Sequence, residues 1–193
     1  MPNELMKISI EVSARHVHLS TADLAALFGA NYELTKLKDL SQPGQWAAEE
    51  KITVRGPRGE LECRVLGPCR PASQVELAKT DCLKLGIEPT LRLSGDHEDT
   101  PGCTLIGPQG EIEFKRGVIV AKRHIHLSDA EALERNLKNG DSVTVAVRGE
   151  RAISFHNVIL RTHESFRLNL HLDTDEGNAA WQEVGGGHGE IIP

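Results

Sequence analysis

Two copies of a six-residue motif place pairs of histidines where they could bind a metal ion. Residues 15–20 read Arg-His-Val-His-Leu-Ser, and residues 123–128 read Arg-His-Ile-His-Leu-Ser. Because side chains alternate between the two faces of an extended strand, histidines two positions apart point the same way. One such pair is weak evidence, but its repetition favours two sites for divalent cations. The four histidines are His16, His18, His124 and His126.

Each pair needs further ligands, since a catalytic zinc ion typically keeps three ligands from the protein. Glu76 lies in the alternating residues 74–77, and His171 lies on the polar face of the strictly alternating residues 166–173. We take these two residues as candidates, one for each pair, although either side chain would be ordinary on a solvated strand face. The remaining histidines lie in loop-like or mixed contexts and are left out, namely His97, His156, His163 and His188.

Two arginines are candidates for binding an anion near these sites. Arg70 lies in the predicted turn of residues 67–71, shortly before Glu76. Its guanidinium group could grip two oxygens of a phosphate, which suits the fork geometry of arginine. Arg161 lies in a predicted strand and could reach the same anion. By itself, either arginine would more commonly be a surface residue.

The elements around the two motifs follow the same order. Residues 8–12 alternate like a half-buried strand, and residues 117–121 form an apolar run typical of a strand buried on both faces. Each motif then ends on a serine that lies three positions before an acidic residue, which is the capping-box pattern and predicts a helix. Many short strands, frequent glycines and few helices predict a mainly β fold with short helices. The repeat suggests two similar β-barrel units of roughly a hundred residues, each capped by short α-helices.

Composition excludes several classes of function. The chain has 193 residues with 39% hydrophobic residues, which is enough for a core, and a net charge of −6. A global basic field that would recruit nucleic acid or an anionic membrane is therefore not expected. The four cysteines form no Cys-x-x-Cys pair, so they read as reduced thiols of a cytosolic protein. No apolar run approaches a transmembrane span, and Lys7 and Glu11 interrupt the only candidate signal peptide.

The chain resembles the phosphotransacylases of bacterial microcompartments, the PduL-type phosphate propanoyltransferases, over roughly residues 8 to 180. The resemblance rests on long motifs in the order of that family. They are the two His-x-His motifs, residues 40–45 (Leu-Ser-Gln-Pro-Gly-Gln), Gly67-Pro68-x-Arg70-x-x-x-Gln74-Val75-Glu76, Ser94-Gly95-Asp96, and residues 171–179, beginning His-Leu-Asp-Thr-Asp-Glu.

The resemblance implies a fold, a ligand set and a reaction. Residues 15–121 would form one β-barrel domain, and residues 1–14 with 122–193 would form a second, discontinuous one. Two Zn²⁺ ions per chain are implied, although His-rich sites also accept other divalent metals. The reaction would interconvert acyl-CoA and phosphate with acyl phosphate and coenzyme A, by direct attack at the two-zinc site. One zinc ion would bind His16, His18 and Glu76, and the other would bind His124, His126 and His171.

The same resemblance assigns the substrate contacts. Arg70 would be the catalytic, phosphate-handling arginine, and the accessory phosphate contacts would be Gln74, Ser94 and Arg161. The coenzyme A site would be lined by Ser13, Lys38, Arg64, Leu66, His171 and Asn178. A homodimer is also implied. The acyl preference, acetyl or propanoyl or longer, cannot be read from these residues.

Three alternatives remain open. A cupin-like mononuclear metalloenzyme also combines a small β-barrel with His-x-His, but it leaves the second motif and half of the chain unused. A metallo-β-lactamase-type hydrolase fits the spacing less well, and the third alternative is a zinc-dependent ligand-binding or assembly module without catalytic activity. Members of the resembled family in microcompartments carry an encapsulation segment before the first strand. Because only residues 1–7 precede it here, a cytoplasmic location is expected rather than a microcompartment lumen.

Overall fold

The computed structural model describes residues 6–180 and 187–192. Strands make up 49% of the described residues and helices 15%, which confirms the predicted mainly β fold with short helices. The strands are β1 (Met6–Ser13), β2 (His16–Ser20), β3 (Lys36–Asp39), β4 (Trp46–Gly56), β5 (Gly59–Arg70), β6 (Gln74–Glu76), β7 (Leu91–Arg92), β8 (Cys103–Ile106), β9 (Glu111–Phe114), β10 (Val118–Ala121), β11 (His124–Leu127), β12 (Ser142–Val147), β13 (Ile153–Thr162), β14 (Asn169–Asp173) and β15 (Gly187–Ile192). The helices are α1 (Thr21–Phe28), α2 (Lys79–Leu85), α3 (Asp129–Glu134) and α4 (Thr174–Ala179). None of these helices has the length and apolar character needed to cross a bilayer.

The chain divides into two compact units. The N-unit contains Ala14–Leu40 and Gly44–Ala121, and the C-unit contains Met1–Ser13, Ser41–Pro43 and Lys122–Pro193. The short segment Ser41–Pro43 was not expected in the C-unit. It belongs there because the buried Gln42 side chain exchanges two hydrogen bonds with the backbone of Arg167, at 3.0 and 3.1 Å. The domain ranges expected from the sequence stay a prediction.

The C-unit is a closed six-stranded barrel in the order β1-β14-β11-β13-β12-β15. Alternate residues of these strands supply most of its core, which follows from the alternation of side chains in a strand. Ile10, Ile125, Leu160 and Leu170 are almost completely buried in it. The residues between them therefore lie on the opposite face of the same strands.

The N-unit is a curled, half-barrel sheet rather than a closed barrel. Its strand order is β7-β10-β6-β2-β5-β4-β8-β9, and β3 pairs with β4. Val17, Val65 and Val75 lie side by side on β2, β5 and β6 and are fully buried in its core. Helix α1 covers this core with Leu24 and Leu27.

The two units share one three-stranded arrangement around the His-x-His motif. In the N-unit, β2 lies between the parallel strand β5 and the antiparallel strand β6. In the C-unit, β11 lies between the parallel strand β13 and the antiparallel strand β14. The internal repeat in the sequence is therefore a repeat of strand topology.

The helix starts agree with those predicted from the sequence, whereas the start of β14 and the end of β5 differ from the prediction. Ser20 accepts a hydrogen bond from the backbone N–H of Asp23 at the start of α1, and Ser128 forms a full capping box with Glu131 at the start of α3. Strand β14 begins only at Asn169, so the alternation over residues 166–173 overestimates its length. The turn predicted over residues 67–71 is instead the end of β5, which continues to Arg70 through a cis Gly67–Pro68 bond.

Candidate functional site

The first histidine pair lies on the face of the N-unit sheet opposite the core. His16 pairs with Arg64 on β5 and with Glu76 on β6, and His18 pairs with Gln74 on β6. Partners in register share a face, and the intervening valines point into the core. The pairing of β2 with β6 thus places Glu76 beside both histidines, although it is far from them in sequence.

The three side chains form a group that could hold a cation. Their ligand atoms lie within 4.8 Å of one another, and His16 and His18 are buried. The Nε2 atoms of His16 and His18 lie 3.5 and 3.8 Å from the two carboxylate oxygens of Glu76. His16 Nδ1 is 2.9 Å from the carbonyl oxygen of Ala14, which directs its other nitrogen toward Glu76. Orienting a ligand histidine through its second nitrogen is typical of metal sites.

The electrostatics of this group suit a positive charge held next to a carboxylate. Burial alone would lower the pKa of His16, but the Glu76 carboxylate outweighs it and leaves that pKa raised. Burial and the nearby His16 lower the pKa of His18 to about 2. Burial opposes the ionisation of Glu76, yet its contact with His16 keeps the pKa of Glu76 well below its usual value. A divalent cation could replace the proton on His16 without changing this arrangement.

The second histidine pair is completed by His171 at the same register position. His124 pairs with His171, and His126 pairs with Asn169, on the antiparallel strand β14. The ligand atoms of the three histidines also lie within 4.8 Å of one another, and His126 Nδ1 is 3.1 Å from His171 Nε2. His124 Nδ1 is 2.8 Å from the carbonyl oxygen of Lys122, two residues before it, as in the first cluster. Three imidazoles without a carboxylate are a donor set that suits zinc, copper or nickel.

An amide side chain precedes the third ligand by two residues in both clusters. Gln74 Nε2 donates to Glu76 Oε1 over 2.6 Å in the N-unit. In the C-unit, Asn169 Nδ2 donates over 3.1 Å to Glu11, which is the register partner of His171 on β1. Ser41 donates to the same Glu11 oxygen. Glu11 and Asn169 were not among the residues predicted from the sequence, and the amide two positions before each third candidate ligand was the signal that could have found Asn169.

The predicted phosphate residues Arg70, Gln74 and Ser94 meet beside Glu76. Arg70 Nη1 donates to Ser94 Oγ over 3.1 Å, and Ser94 Oγ donates to Glu76 Oε1 over 2.9 Å. Gln74 Nε2 also donates to Ser94 Oγ, while Gln74 Oε1 is bonded to Gly95 and His97. Because the four hydrogen-bonding positions of Gln74 are used within the protein, a phosphate contact would have to break one of them. Arg161 lies in the C-unit, in register with His126.

The residues expected to line a coenzyme A site are divided between the two units. In the N-unit, Leu66 pairs with His18, Arg64 Nη1 donates to the carbonyl oxygen of Ala48 over 2.7 Å, and Lys38 is exposed on β3. The C-unit contains the others, at the end of β1, in β14 and in α4, and they are Ser13, His171 and Asn178. The coenzyme A contacts of all six residues stay predictions.

The comparisons with known proteins agree with the geometry. A family model described as phosphate propanoyltransferase matches residues 9–183. Three relatives carry the name phosphate propanoyltransferase. One from Thermotoga maritima is 50% identical over 92% of this chain and 86% of its own length, one from Leptotrichia buccalis is 48% identical over 88% and 81%, and one from Escherichia fergusonii is 50% identical over 90% and 83%.

Proposed function

Because the chain belongs to the phosphate propanoyltransferase family, we propose that this acyltransferase interconverts acyl-CoA and phosphate with acyl phosphate and coenzyme A at a two-zinc site. The observation that supports this most directly is the pair of matching clusters. In each unit, a His-x-His strand is completed by a ligand from the antiparallel neighbour, at the same register position. Two sites suit a reaction with two anionic nucleophiles, the phosphate and the thiolate of coenzyme A.

The reaction exchanges one nucleophile for another at a single carbon. A phosphate oxygen attacks the thioester carbonyl carbon, the new C–O bond forms, the C–S bond breaks, and coenzyme A leaves as a thiolate. The reverse reaction uses the thiolate to attack the acyl phosphate. When bound, zinc supplies positive charge that stabilises a thiolate and phosphate oxygens. Neither direction needs a covalent acyl-enzyme.

The cysteines of the chain give no support to a covalent route. Burial raises the pKa of Cys63 and of Cys103 to about 12, so neither is a thiolate near neutral pH. Burial also raises the pKa of Cys69, and Cys82 is buried in the core of the N-unit. Direct attack of phosphate on the acyl group is therefore the mechanism that we favour.

The residues of the N-unit position the phosphate. The Arg70 guanidinium offers a rigid fork to the phosphate oxygens, while its bond to Ser94 ties it to the Glu76 ligand. His16, His18 and Glu76 would hold one zinc ion, and His124, His126 and His171 would hold the other. Correct placement of the reacting groups is expected to supply much of the rate enhancement.

Thiol release from acetyl-CoA and propanoyl-CoA, with and without phosphate, tests the proposal. Release that requires phosphate, with formation of acyl phosphate, is the expected result. Thiol release without phosphate would indicate a hydrolase, and a chain that binds zinc but releases no thiol would be a binding module. Sedimentation of the same preparation tests the expected homodimer.

Metal content tests the two-site assignment separately. About two equivalents of zinc per chain are expected. About one equivalent is expected in each of the variants Glu76→Gln and His171→Gln, since each change removes one ligand from one of the two sets. A single equivalent in the wild-type chain, unaffected by added zinc, would favour a cupin-like mononuclear site.

A further inference from the structure

Gln74 is a buried amide that connects a metal-cluster carboxylate to a neighbouring loop. Its exposed fraction is 1%. Its nitrogen donates to Glu76 Oε1 over 2.6 Å and to Ser94 Oγ over 2.9 Å. Its oxygen lies 2.7 Å from the backbone nitrogen of Gly95 and 3.0 Å from His97 Nε2. His97 is not among the residues for which the sequence predicts a role.

The chemistry of these partners permits only one orientation of the amide. The backbone N–H of Gly95 can only donate, so it must face the oxygen of Gln74. An ionised Glu76 can only accept, so it must face the nitrogen. His97 Nε2 therefore has to carry a hydrogen and donate a hydrogen bond to the oxygen of Gln74.

The orientation of the amide controls the carboxylate ligand. If the amide turned over, its oxygen would stand in the place of its nitrogen, 2.6 Å from Glu76 Oε1, and two acceptors would repel each other. Gly95 and His97 together oppose this turn, because both donate to the oxygen. Loss of the His97 donor removes one of the two hydrogen bonds that the amide oxygen accepts.

The loop that contains His97 is itself tied to a strand next to the ligand strand. The carbonyl oxygen of His97 accepts a hydrogen bond from Thr100 Oγ1 over 2.9 Å. Thr100 Oγ1 in turn accepts from the backbone N–H of Gly117 over 2.8 Å, immediately before β10. Strand β10 pairs with β6, which carries both Gln74 and Glu76. The loop that contains His97 is thus fixed to the same sheet that positions Glu76.

We propose that His97 is a positioning residue of the first cluster, which holds the Glu76 carboxylate in its ligand orientation by donating to Gln74. The inference rests on the proposed metal-binding function, and it concerns the affinity of one site rather than the chemical step. Outer hydrogen-bond partners of metal ligands typically change metal affinity by about tenfold to a hundredfold. Because Gly95 still donates when His97 is lost, we expect an effect near the lower limit.

Competition of the full-length chain with a chromophoric chelator for Zn²⁺ measures the affinity of both sites. Glu76→Gln identifies the binding step that belongs to the first cluster. His97→Gln can present an amide N–H in place of the imidazole Nε2–H, whereas His97→Leu has no donor. His97→Glu places an acceptor there, which attracts the nitrogen of Gln74 away from Glu76.

We expect about wild-type affinity for His97→Gln, a roughly tenfold loss for His97→Leu, and a larger loss for His97→Glu. Affinity at the second cluster should stay unchanged in all three variants. His156→Leu, which alters an exposed histidine of β13 in the C-unit, serves as the matched control and should have wild-type affinity at both sites. The visible spectrum of the Co²⁺-substituted protein should change in the same order as the affinity.

Wild-type affinity in His97→Leu would overturn the inference and leave the proposed function intact. Equal losses in His97→Gln and His97→Leu would also overturn it, because they would indicate packing of the imidazole ring rather than donation. If the affinities follow the expected order but acyl-CoA is not converted in the presence of phosphate, the proposed function fails and the inference stands. A wild-type chain that binds no Zn²⁺ at the first cluster would overturn the inference and the metal assignment together.

Discussion

Replacing Ser94 by alanine removes one oxygen atom on which three hydrogen bonds meet. Arg70 Nη1 and Gln74 Nε2 donate to this oxygen over 3.1 and 2.9 Å, and it donates to Glu76 Oε1 over 2.9 Å. Two of the three partners are charged. Gln74 is 1% exposed, so the N–H that loses its acceptor has little access to water. The substitution therefore removes a hydrogen bond from the candidate ligand Glu76, from the amide of Gln74 and from the arginine that we propose binds phosphate.

The size of the activity loss expected for Ser94→Ala follows from these three hydrogen bonds. A net contribution of about 1 kcal/mol for the neutral bond and about 1.5–3 kcal/mol for each charged one would sum to roughly 4–7 kcal/mol. The bonds share one atom and are not independent, and Ser94 is only half-buried, so water can replace part of them. We expect a loss of about 1.5–3 kcal/mol in transition-state stabilisation, which corresponds to roughly a ten- to hundredfold fall in turnover.

Steady-state kinetics and zinc affinity distinguish two roles of this hydroxyl. Support of Glu76 predicts a lower kcat together with weaker zinc binding at the first cluster, whereas a phosphate contact alone predicts a higher KM for phosphate with unchanged zinc affinity. We expect the first result for Ser94→Ala, and near-normal behaviour for Ser94→Thr, which keeps the hydroxyl. Wild-type turnover in Ser94→Ala, or equal damage in both variants, would refute the reasoning.

Three further changes test other parts of the chain. Arg70→Lys should keep its zinc and lose about ten- to a thousandfold in turnover, because an ammonium group has no fork for phosphate; near-normal kinetics would remove Arg70 from the site. Gly67→Ala should lower the free energy of unfolding by about 1–3 kcal/mol, since its Cβ would lie 2.3 Å from the Trp46 ring, whereas Gly59→Ala, with its nearest atom at 3.5 Å, should unfold in urea like the wild type. Three hydrogen bonds keep the pKa of Glu50 lowered even though burial opposes this, so its carboxylate stabilises the fold above the ordinary carboxyl pKa, and that contribution is lost as the pH falls below it. Glu50→Gln should thus destabilise the chain by about 1–3 kcal/mol at pH 7 and by less near pH 4, and an equal difference at both pH values in urea unfolding would contradict this.

The histidine pairs could be predicted because their geometry is local. In any strand, two residues separated by one share a face, whatever the strand pairs with. The same holds for the helix starts, since Ser20 and Ser128 cap helices through contacts three residues away. Where a prediction depended on more distant packing, it was less exact. The strand that carries His171 begins at Asn169 rather than at residue 166.

Only the tertiary structure shows which candidate lies beside which pair, because the residue patterns left that choice open and the resemblance gave it only by implication. The sequence contained Glu76 and His171 as candidates on polar strand faces, one for each pair. The antiparallel pairing of β2 with β6, and of β11 with β14, brings each candidate to one motif. Strand register depends on the burial of whole faces, such as Val17 against Val75, so it cannot be read from one strand alone.

The hydrogen-bond partners of the site were beyond the sequence for the same reason. The phosphate contact of Gln74 stays a prediction, and the structure adds that its amide is hydrogen-bonded to Glu76, Ser94, Gly95 and His97. A side chain has only as many hydrogen bonds as its donors and acceptors permit, and which neighbours take them depends on loops distant in sequence. The types and spacing of the residues thus predicted two pairs of histidines that could each bind a metal ion. The folding of the loop at residues 94–97 against β6 decided how the candidate ligand Glu76 is held.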